Sequence, residues 1–137
     1  MTAVPGRCLC GDVRFHVTSE PRFVAHCHCD QCRRAHSAAF VTWAGFQRDE
    51  LSLEDGCILA RFETVTGATR SFCPKCGSTL FYESPRWEGE IHVALGNLTG
   101  AVNKAPGAHV YADKAPAWCP ITDDLPRYGG ESGTEPL

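Results

Sequence analysis

The chain has 137 residues, a formal net charge of -3 and a pI near 6.0. This length predicts one domain with a modest core, and the acidic balance argues against general phosphate or nucleic-acid binding. No apolar run approaches bilayer length, and the first residues lack the charged start and apolar stretch of a signal peptide. We therefore expect a cytoplasmic protein with no membrane or nucleic-acid partner.

Alternating apolar and polar residues predict a mainly β fold. In chain order, strands are predicted at 13–17, 40–46, 58–64, 78–83, 91–95 and 108–111, with turn-forming residues between them. One helical turn is predicted from Gln31 to Ala39. We expect a single domain over residues 1–128, followed by a disordered tail at 129–137, GGESGTEPL.

Seven of the nine cysteines fall into three short clusters, CLCG, CHCDQC and CPKCG. In a reducing compartment this pattern favours metal binding over disulfides, and an odd number cannot pair completely within one chain. The two paired clusters predict a closed structural zinc site of four thiolates, Cys8, Cys10, Cys73 and Cys76. Tetrahedral coordination requires sulfur atoms roughly 3.8 Å apart, which two residues on one side of a strand can reach. A thioredoxin-like redox role for CPKCG is disfavoured because no βαβ pattern surrounds it.

The remaining cluster, Cys27, Cys29 and Cys32, predicts a second metal site with one position open. In an extended segment, His26 and His28 point away from the side that Cys27 and Cys29 share. The fourth ligand is therefore sought elsewhere, with an exchangeable water or substrate thiolate favoured. The protein alternatives are His36, Cys57 and Cys119, of which either cysteine would make this a second structural site. Zinc is the expected metal, and iron is the alternative.

Basic and histidine residues outside the clusters have simpler interpretations. His16 and His92 are expected to be surface or hydrogen-bonded residues and not metal ligands. Arg33 and Arg34 directly follow the third thiolate, so they can offset its negative charge and attract a ligand that carries a carboxylate.

The motifs CLCGDVRF, CHCDQCRRAHSAAF, FCPKCGSTLFYE, KAPAW and ITDDLP resemble those of the glutathione-dependent formaldehyde-activating enzyme family, which includes the centromere protein V domain. The resemblance covers roughly residues 7–128. It implies several small coiled antiparallel sheets, a structural zinc held by the two paired clusters, and a second zinc held by Cys27, Cys29 and Cys32.

The implied activity is carbon–sulfur lyase chemistry that joins glutathione and formaldehyde as S-(hydroxymethyl)glutathione. Arg33, Arg34 or Lys75 would then bind the carboxylates of the tripeptide. The chain departs from the family pattern at His36-Ser37-Ala38, where relatives often have glycine, and at Cys119. A zinc-stabilised binding module without turnover is the alternative function.

Overall fold

The computed structural model of the chain describes residues 3–137. Their strands, in chain order, are β1 (Val4–Arg7), β2 (Arg14–Val17), β3 (Phe23–Cys27), β4 (Val41–Gln47), β5 (Leu51–Leu53), β6 (Ala60–Glu63), β7 (Thr69–Phe72), β8 (Thr79–Glu83), β9 (Glu90–Ala94), β10 (Ala108–Val110), β11 (Tyr128–Gly129) and β12 (Glu135–Pro136). The α-helix α1 is Asp30–His36, and single 3-10 turns lie at Arg48–Glu50, Pro85–Trp87, Leu95–Asn97 and Ala112–Lys114.

The chain folds as two compact units that are interleaved along the sequence. The first unit comprises residues 3–22 and Ala44–Lys104, and the second comprises Phe23–Trp43 and Ala105–Leu137. Residue 128, where the predicted domain ends, lies inside the second unit and is not a boundary between the two units. A single domain over 1–128 stays a prediction.

The first unit contains two antiparallel groups of strands. Strands β1, β2 and β5 form one sheet, in which Gly6 lies opposite Phe15. A Cβ atom at Gly6 would lie 2.3 Å from Cζ of the Phe15 ring, so this position requires glycine. The second group follows the order β9-β8-β7-β6, with a register shift between Ser71 and Phe72.

Aromatic and aliphatic side chains fill the core of the first unit. Phe46 is completely buried, and the rings of Phe15 and Phe81 meet edge to face with their centroids 4.9 Å apart. Leu80 and Val93 are also fully buried. These residues lie on β2, β4, β8 and β9, and the consecutive buried residues Leu80 and Phe81 indicate that β8 is covered on both faces.

The second unit is organised around β3, which leads directly into α1. Strand β10 pairs with β3 in parallel, with His109 opposite His26 and Val110 opposite Cys27. The side chain of Cys29 caps the helix by accepting a hydrogen bond from the backbone N–H of Cys32. Ser37 ends the helix with a left-handed backbone, φ 52°, so it adopts the conformation for which glycine is the usual residue.

The predicted mainly β class is confirmed, with several sheets and one short α-helix among the described residues. Each predicted strand overlaps an observed one, and the predicted helical turn overlaps α1. The β3–β10 pair is parallel, whereas all sheets were expected to be antiparallel. Strand β7 lacks an apolar alternation because its buried residues include Arg70 and Ser71.

The prediction of a disordered tail was wrong, because residues 128–136 carry the antiparallel hairpin β11–β12. Few apolar residues support this hairpin, so composition did not reveal it. The backbone of the hairpin instead packs closely against Tyr111. A Cβ atom at Gly133 would lie 2.2 Å from the Tyr111 ring, and Tyr111 donates its backbone N–H to the Gly133 carbonyl. Asp113 accepts a further hydrogen bond from the backbone N–H of Gly130.

Within the described residues, no helix has both the length and the apolar character needed to cross a membrane.

Replacing Phe46 by alanine should lower the free energy of unfolding by about 3 to 5 kcal/mol, because it leaves a cavity in a fully buried position. Phe62→Ala is the matched control, since Phe62 is 62% exposed and its loss should change stability by about 0.5 kcal/mol or less. Urea denaturation of both variants measures the difference. Equal effects of the two substitutions would contradict the assignment of Phe46 to the core.

Candidate metal centres

The four-cysteine cluster brings together Cys8, Cys10, Cys73 and Cys76 of the first unit. All four Sγ atoms lie within 4.8 Å of one another. The Sγ atoms of Cys8 and Cys10 are 3.7 Å apart, and those of Cys10 and Cys73 are 3.8 Å apart. These separations are close to the roughly 3.8 Å that tetrahedral Zn–S geometry requires. The cluster can therefore hold a metal ion.

Backbone amides point at the thiols because each cysteine pair sits on a tight turn. The N–H groups of Lys75 and Cys76 both lie 3.4 Å from Sγ of Cys73, and Gly77 closes this turn with φ 79°. On the other turn, the N–H of Val13 donates to Sγ of Cys8 at 3.3 Å. Such N–H donors stabilise thiolate charge, as a metal site requires.

Ser78 joins the two turns of the four-cysteine cluster. Its hydroxyl accepts a hydrogen bond from the backbone N–H of Leu9 at 2.9 Å and contacts Sγ of Cys76 at 3.1 Å. Hydrogen bonds from the side chain and backbone of Ser78 lower the pKa of the Cys76 thiol to about 5. Lys75 and Asp12 add an exposed ion pair between the turns, with N and O atoms 3.7 Å apart. Lys75 lies in the first unit, whereas Arg33 and Arg34, which were also predicted to bind carboxylates, lie in the second.

The three-cysteine cluster consists of Cys27, Cys29 and Cys32 in the second unit, and its Sγ atoms also lie within 4.8 Å of one another. Cys27 ends β3, Cys29 caps α1, and Cys32 lies in the first turn of that helix. Cys27 and Cys32 are buried, while Cys29 is half-buried. The indole N–H of Trp43 donates to Sγ of Cys32 at 3.4 Å. Cys29 is thus the most exposed residue of the three.

Electrostatics indicate that this cluster requires a cation when its thiols ionise. The neighbouring thiols of Cys29 and Cys32, together with burial, raise the pKa of the Cys27 thiol. Three buried or half-buried negative charges cannot coexist at such distances without a compensating positive charge. The all-thiol donor set suits zinc in both clusters.

None of the three side chains considered as a fourth ligand joins the three-cysteine cluster. Among residues 3–137, no other histidine, cysteine, aspartate or glutamate places a ligand atom in the group. His36 packs its ring edge-on against Trp43, with centroids 5.4 Å apart. Cys57 belongs to the first unit, where its thiol donates to the carbonyl of Asp12. Cys119 is half-buried beside the exposed Trp118.

Histidines occupy the other side of the strand from the thiols, and they form a chain that sequence analysis missed. The Nε2 atom of His28 lies 2.8 Å from Nδ1 of His109, whose Nε2 lies 2.9 Å from the Asp123 carboxylate. Burial and the nearby His109 and His26 rings lower the pKa of His28 to about 4, so it is neutral at physiological pH. The rings of His28 and His26 also contact Phe40.

The expected carboxylate-binding arginines line a surface hollow of about 250 Å³ in the second unit, together with Ser37, Ala38 and Trp118. Arg33 pairs with Asp30 and donates to the His28 carbonyl at 3.4 Å. Arg34 is exposed, and within the described part of the chain it makes no hydrogen bond or ion pair. Arg34 is thus available to bind an anionic ligand, and the exposed indole of Trp118 adds an apolar wall.

The two histidines that were not expected to bind metal, His16 and His92, lie in the first unit. His92 is buried, pairs with Glu90 at 2.9 Å and stacks on Tyr82. His16 is half-buried on β2. Neither belongs to a group that can hold a metal within residues 3–137.

Comparison with known proteins links these clusters to one family. The family model described as glutathione-dependent formaldehyde-activating enzyme matches residues 3–114. An uncharacterized lyase of Schizosaccharomyces pombe is 25% identical over 116 residues, which cover 85% of this chain and 83% of that protein. A protein of Halomonas elongata that is named as a glutathione-dependent formaldehyde-activating enzyme is 27% identical over 124 residues, which cover 85% and 79%. A crystal structure of a Rhodobacter sphaeroides protein has a TM-score of 0.61 and 25% identity, over 72% of this chain and 91% of the other.

Cys76→Ser should remove one equivalent of bound metal and most of the folding stability, because a structural zinc contributes about 10 kcal/mol to folding. Cys57→Ser is the matched control, since Cys57 lies outside both clusters and its thiol makes only hydrogen bonds. It should cost about 1 kcal/mol and no metal. Metal analysis and thermal melting measure both effects. Wild-type metal content and melting in Cys76→Ser would refute the structural role of the four-cysteine cluster.

Proposed function

Because the chain belongs to the glutathione-dependent formaldehyde-activating enzyme family, we propose that it joins glutathione, or another small thiol, to formaldehyde or a related aldehyde at the three-cysteine cluster. The proposal assigns it to the carbon–sulfur lyases, with S-(hydroxymethyl)glutathione as the product. Two zinc ions take part in this proposal, one structural and one exchangeable.

The observation that carries the proposal is the contrast between the two clusters. Four thiols surround the first site, which leaves no coordination position for a substrate. Three thiols surround the second, and Cys29 is the most exposed of its three residues. Three protein ligands and one exchangeable position are the usual arrangement of a catalytic zinc site.

Cys27, Cys29 and Cys32 would hold the second zinc, and Cys8, Cys10, Cys73 and Cys76 the first. When bound at the three-cysteine cluster, zinc would lower the pKa of a substrate thiol so that it reacts as a thiolate at neutral pH. The protein's own contribution there is orientation. The Trp43 indole fixes Cys32, and the helix cap fixes Cys29, so the three thiols face one point.

The reaction forms one bond between the glutathione sulfur and the carbonyl carbon of formaldehyde. The electron pair of the C=O π bond moves to the oxygen, which gains a proton, while the thiol loses one. No oxidant or reductant is required. The protein must therefore hold the thiol and the aldehyde close together in the orientation that reacts. Such positioning is a large contribution that binding makes to an addition of two reactants.

The hollow beside α1 is proposed as the binding site for glutathione. Glutathione carries two carboxylates, and Arg33 and Arg34 both line the hollow on the helix that carries Cys32. A guanidinium binds a carboxylate through two parallel hydrogen bonds, which fixes orientation as well as position. Arg34 contributes the charge that is not already paired, and Trp118 covers the apolar part of the tripeptide.

With cobalt in the three-cysteine cluster, glutathione should change the visible spectrum, whereas S-methylglutathione, which has no ionisable thiol, should not. Mild chelation should remove this metal while the protein stays folded, because one fewer thiolate binds it than in the four-cysteine cluster. Simultaneous loss of both metals with cooperative unfolding would contradict the division into structural and exchangeable sites.

The protein should accelerate equilibration of formaldehyde, glutathione and their adduct above the spontaneous rate, and Cys29→Ser should abolish this acceleration. Serine is a preferred helix cap, so the substitution removes the thiol and preserves the start of α1. Exchange NMR measures the rate. Wild-type rates equal to the protein-free background, together with no cobalt response to glutathione, would favour the non-catalytic binding module.

Arg34→Gln should weaken glutathione binding by about 5- to 10-fold, because it removes one charge-assisted interaction with a carboxylate. Arg61→Gln is the matched control, since Arg61 is an exposed arginine of β6 in the first unit. Titration of the cobalt spectrum with glutathione gives both affinities. Equal weakening in the two variants would indicate a general charge effect and not a binding site at the hollow.

A further inference from the structure

We propose that Asp123, acting through His109, is a positioning residue that orients His28 and so the segment carrying Cys27 and Cys29. The inference rests on the proposed function only in taking these cysteines as metal ligands. It gives a role to the ITDDLP segment, which contributes no ligand to either cysteine cluster.

The chain of contacts is short and mostly buried. His28 is 2% exposed and His109 is 4% exposed, whereas Asp123 lies at the surface. Both carboxylate oxygens of Asp123 contact Nε2 of His109, at 2.9 and 3.1 Å. The backbone N–H of Leu125 donates to the same carboxylate at 3.0 Å, which fixes its orientation.

Hydrogen-bonding rules then determine which nitrogen of each ring carries the proton. An ionised carboxylate only accepts, so Nε2 of His109 carries the proton that faces Asp123. The other nitrogen of His109, Nδ1, is then the acceptor, and the group that faces it is Nε2–H of His28. Nδ1 of His28 is left without a proton.

The surroundings of His28 do not select this tautomer by themselves. Its Nδ1 atom is buried and has no hydrogen-bond partner among residues 3–137. In the described part of the chain, the only polar contact of the ring is the one to His109, so the preference originates at Asp123, two hydrogen bonds away. Removing the carboxylate therefore frees both rings to change tautomer and orientation.

Orientation of the His28 ring matters because this residue separates two of the thiols. Its backbone N–H donates to the Val110 carbonyl at 3.1 Å, and its carbonyl accepts from Arg33. The ring and the backbone of one residue are thus both held while its neighbours present their Sγ atoms on the opposite side. Loss of the ring contact removes one of the constraints on this residue, so we expect Cys27 and Cys29 to be held less firmly relative to Cys32.

The test compares Asp123→Asn with Asp124→Asn, since Asp124 is an adjacent exposed aspartate and, among the described residues, makes no hydrogen bond or ion pair with His109. Asparagine can donate as well as accept, so the first variant loses the tautomer preference without a change in size. Long-range proton–nitrogen NMR spectra identify the protonated nitrogen of each ring. Competition with a chelator measures cobalt affinity at the three-cysteine cluster.

We expect His28 and His109 to be protonated at Nε2 in the wild-type protein and in Asp124→Asn. Asp123→Asn should show mixed tautomers and bind cobalt about 10-fold more weakly at the three-cysteine cluster, with the four-cysteine cluster unaffected. Asp123→Glu, which keeps an acceptor, should restore the Nε2 tautomer.

Three results would overturn the proposal: a His28 proton on Nδ1 in the wild-type protein, unchanged tautomers and affinity in Asp123→Asn, or equal losses in the Asp124→Asn control. The wild-type measurement decides the case even where a variant fails to fold. Absence of any metal at the wild-type three-cysteine cluster would refute the proposed function, while the tautomer measurements would still test the positioning role.

Discussion

Mutual repulsion of crowded thiolates is the constraint on which the rest of this molecule depends. Seven thiols are gathered into two groups, each with its sulfur atoms within 4.8 Å of one another. Neutral thiols gain little from such closeness, and ionised thiols at this distance repel strongly. The raised pKa of Cys27 is the local expression of this repulsion. A bound cation would remove it and would convert each cluster from an unfavourable feature of the fold into a stabilising one.

The two clusters differ in how far apart in the sequence their cysteines lie. The four-cysteine cluster brings together two turns that are far apart in the sequence. Cys10 and Cys73, for example, are 63 residues apart. Closing so long a loop costs entropy that the short β1-β2-β5 sheet does little to offset. In the three-cysteine cluster the ligands are adjacent in sequence, so little loop entropy is at stake. Its assembly therefore depends mainly on the end of β3 and the first turn of α1.

Histidines and cysteines alternate along residues 26–29. Thiols of Cys27 and Cys29 lie on one side, and the imidazoles of His26 and His28 lie on the other, against Phe40 and His109. Side chains that alternate along this extended segment thus keep the imidazoles away from the three-cysteine cluster. They remain available to fix the backbone that presents the thiols.

Sequence alone predicted the mainly β class, six of the twelve strands in the described residues and the cysteines of each short motif, because alternation and the spacing within a motif are local properties of the chain. Only the tertiary structure revealed the hairpin at residues 128–136, the buried Arg70 of β7, and the chain from His28 through His109 to Asp123. His28 and His109 are 81 residues apart, and they meet because β10 pairs in parallel with β3. No local pattern encodes that pairing, since it depends on which strands share a sheet.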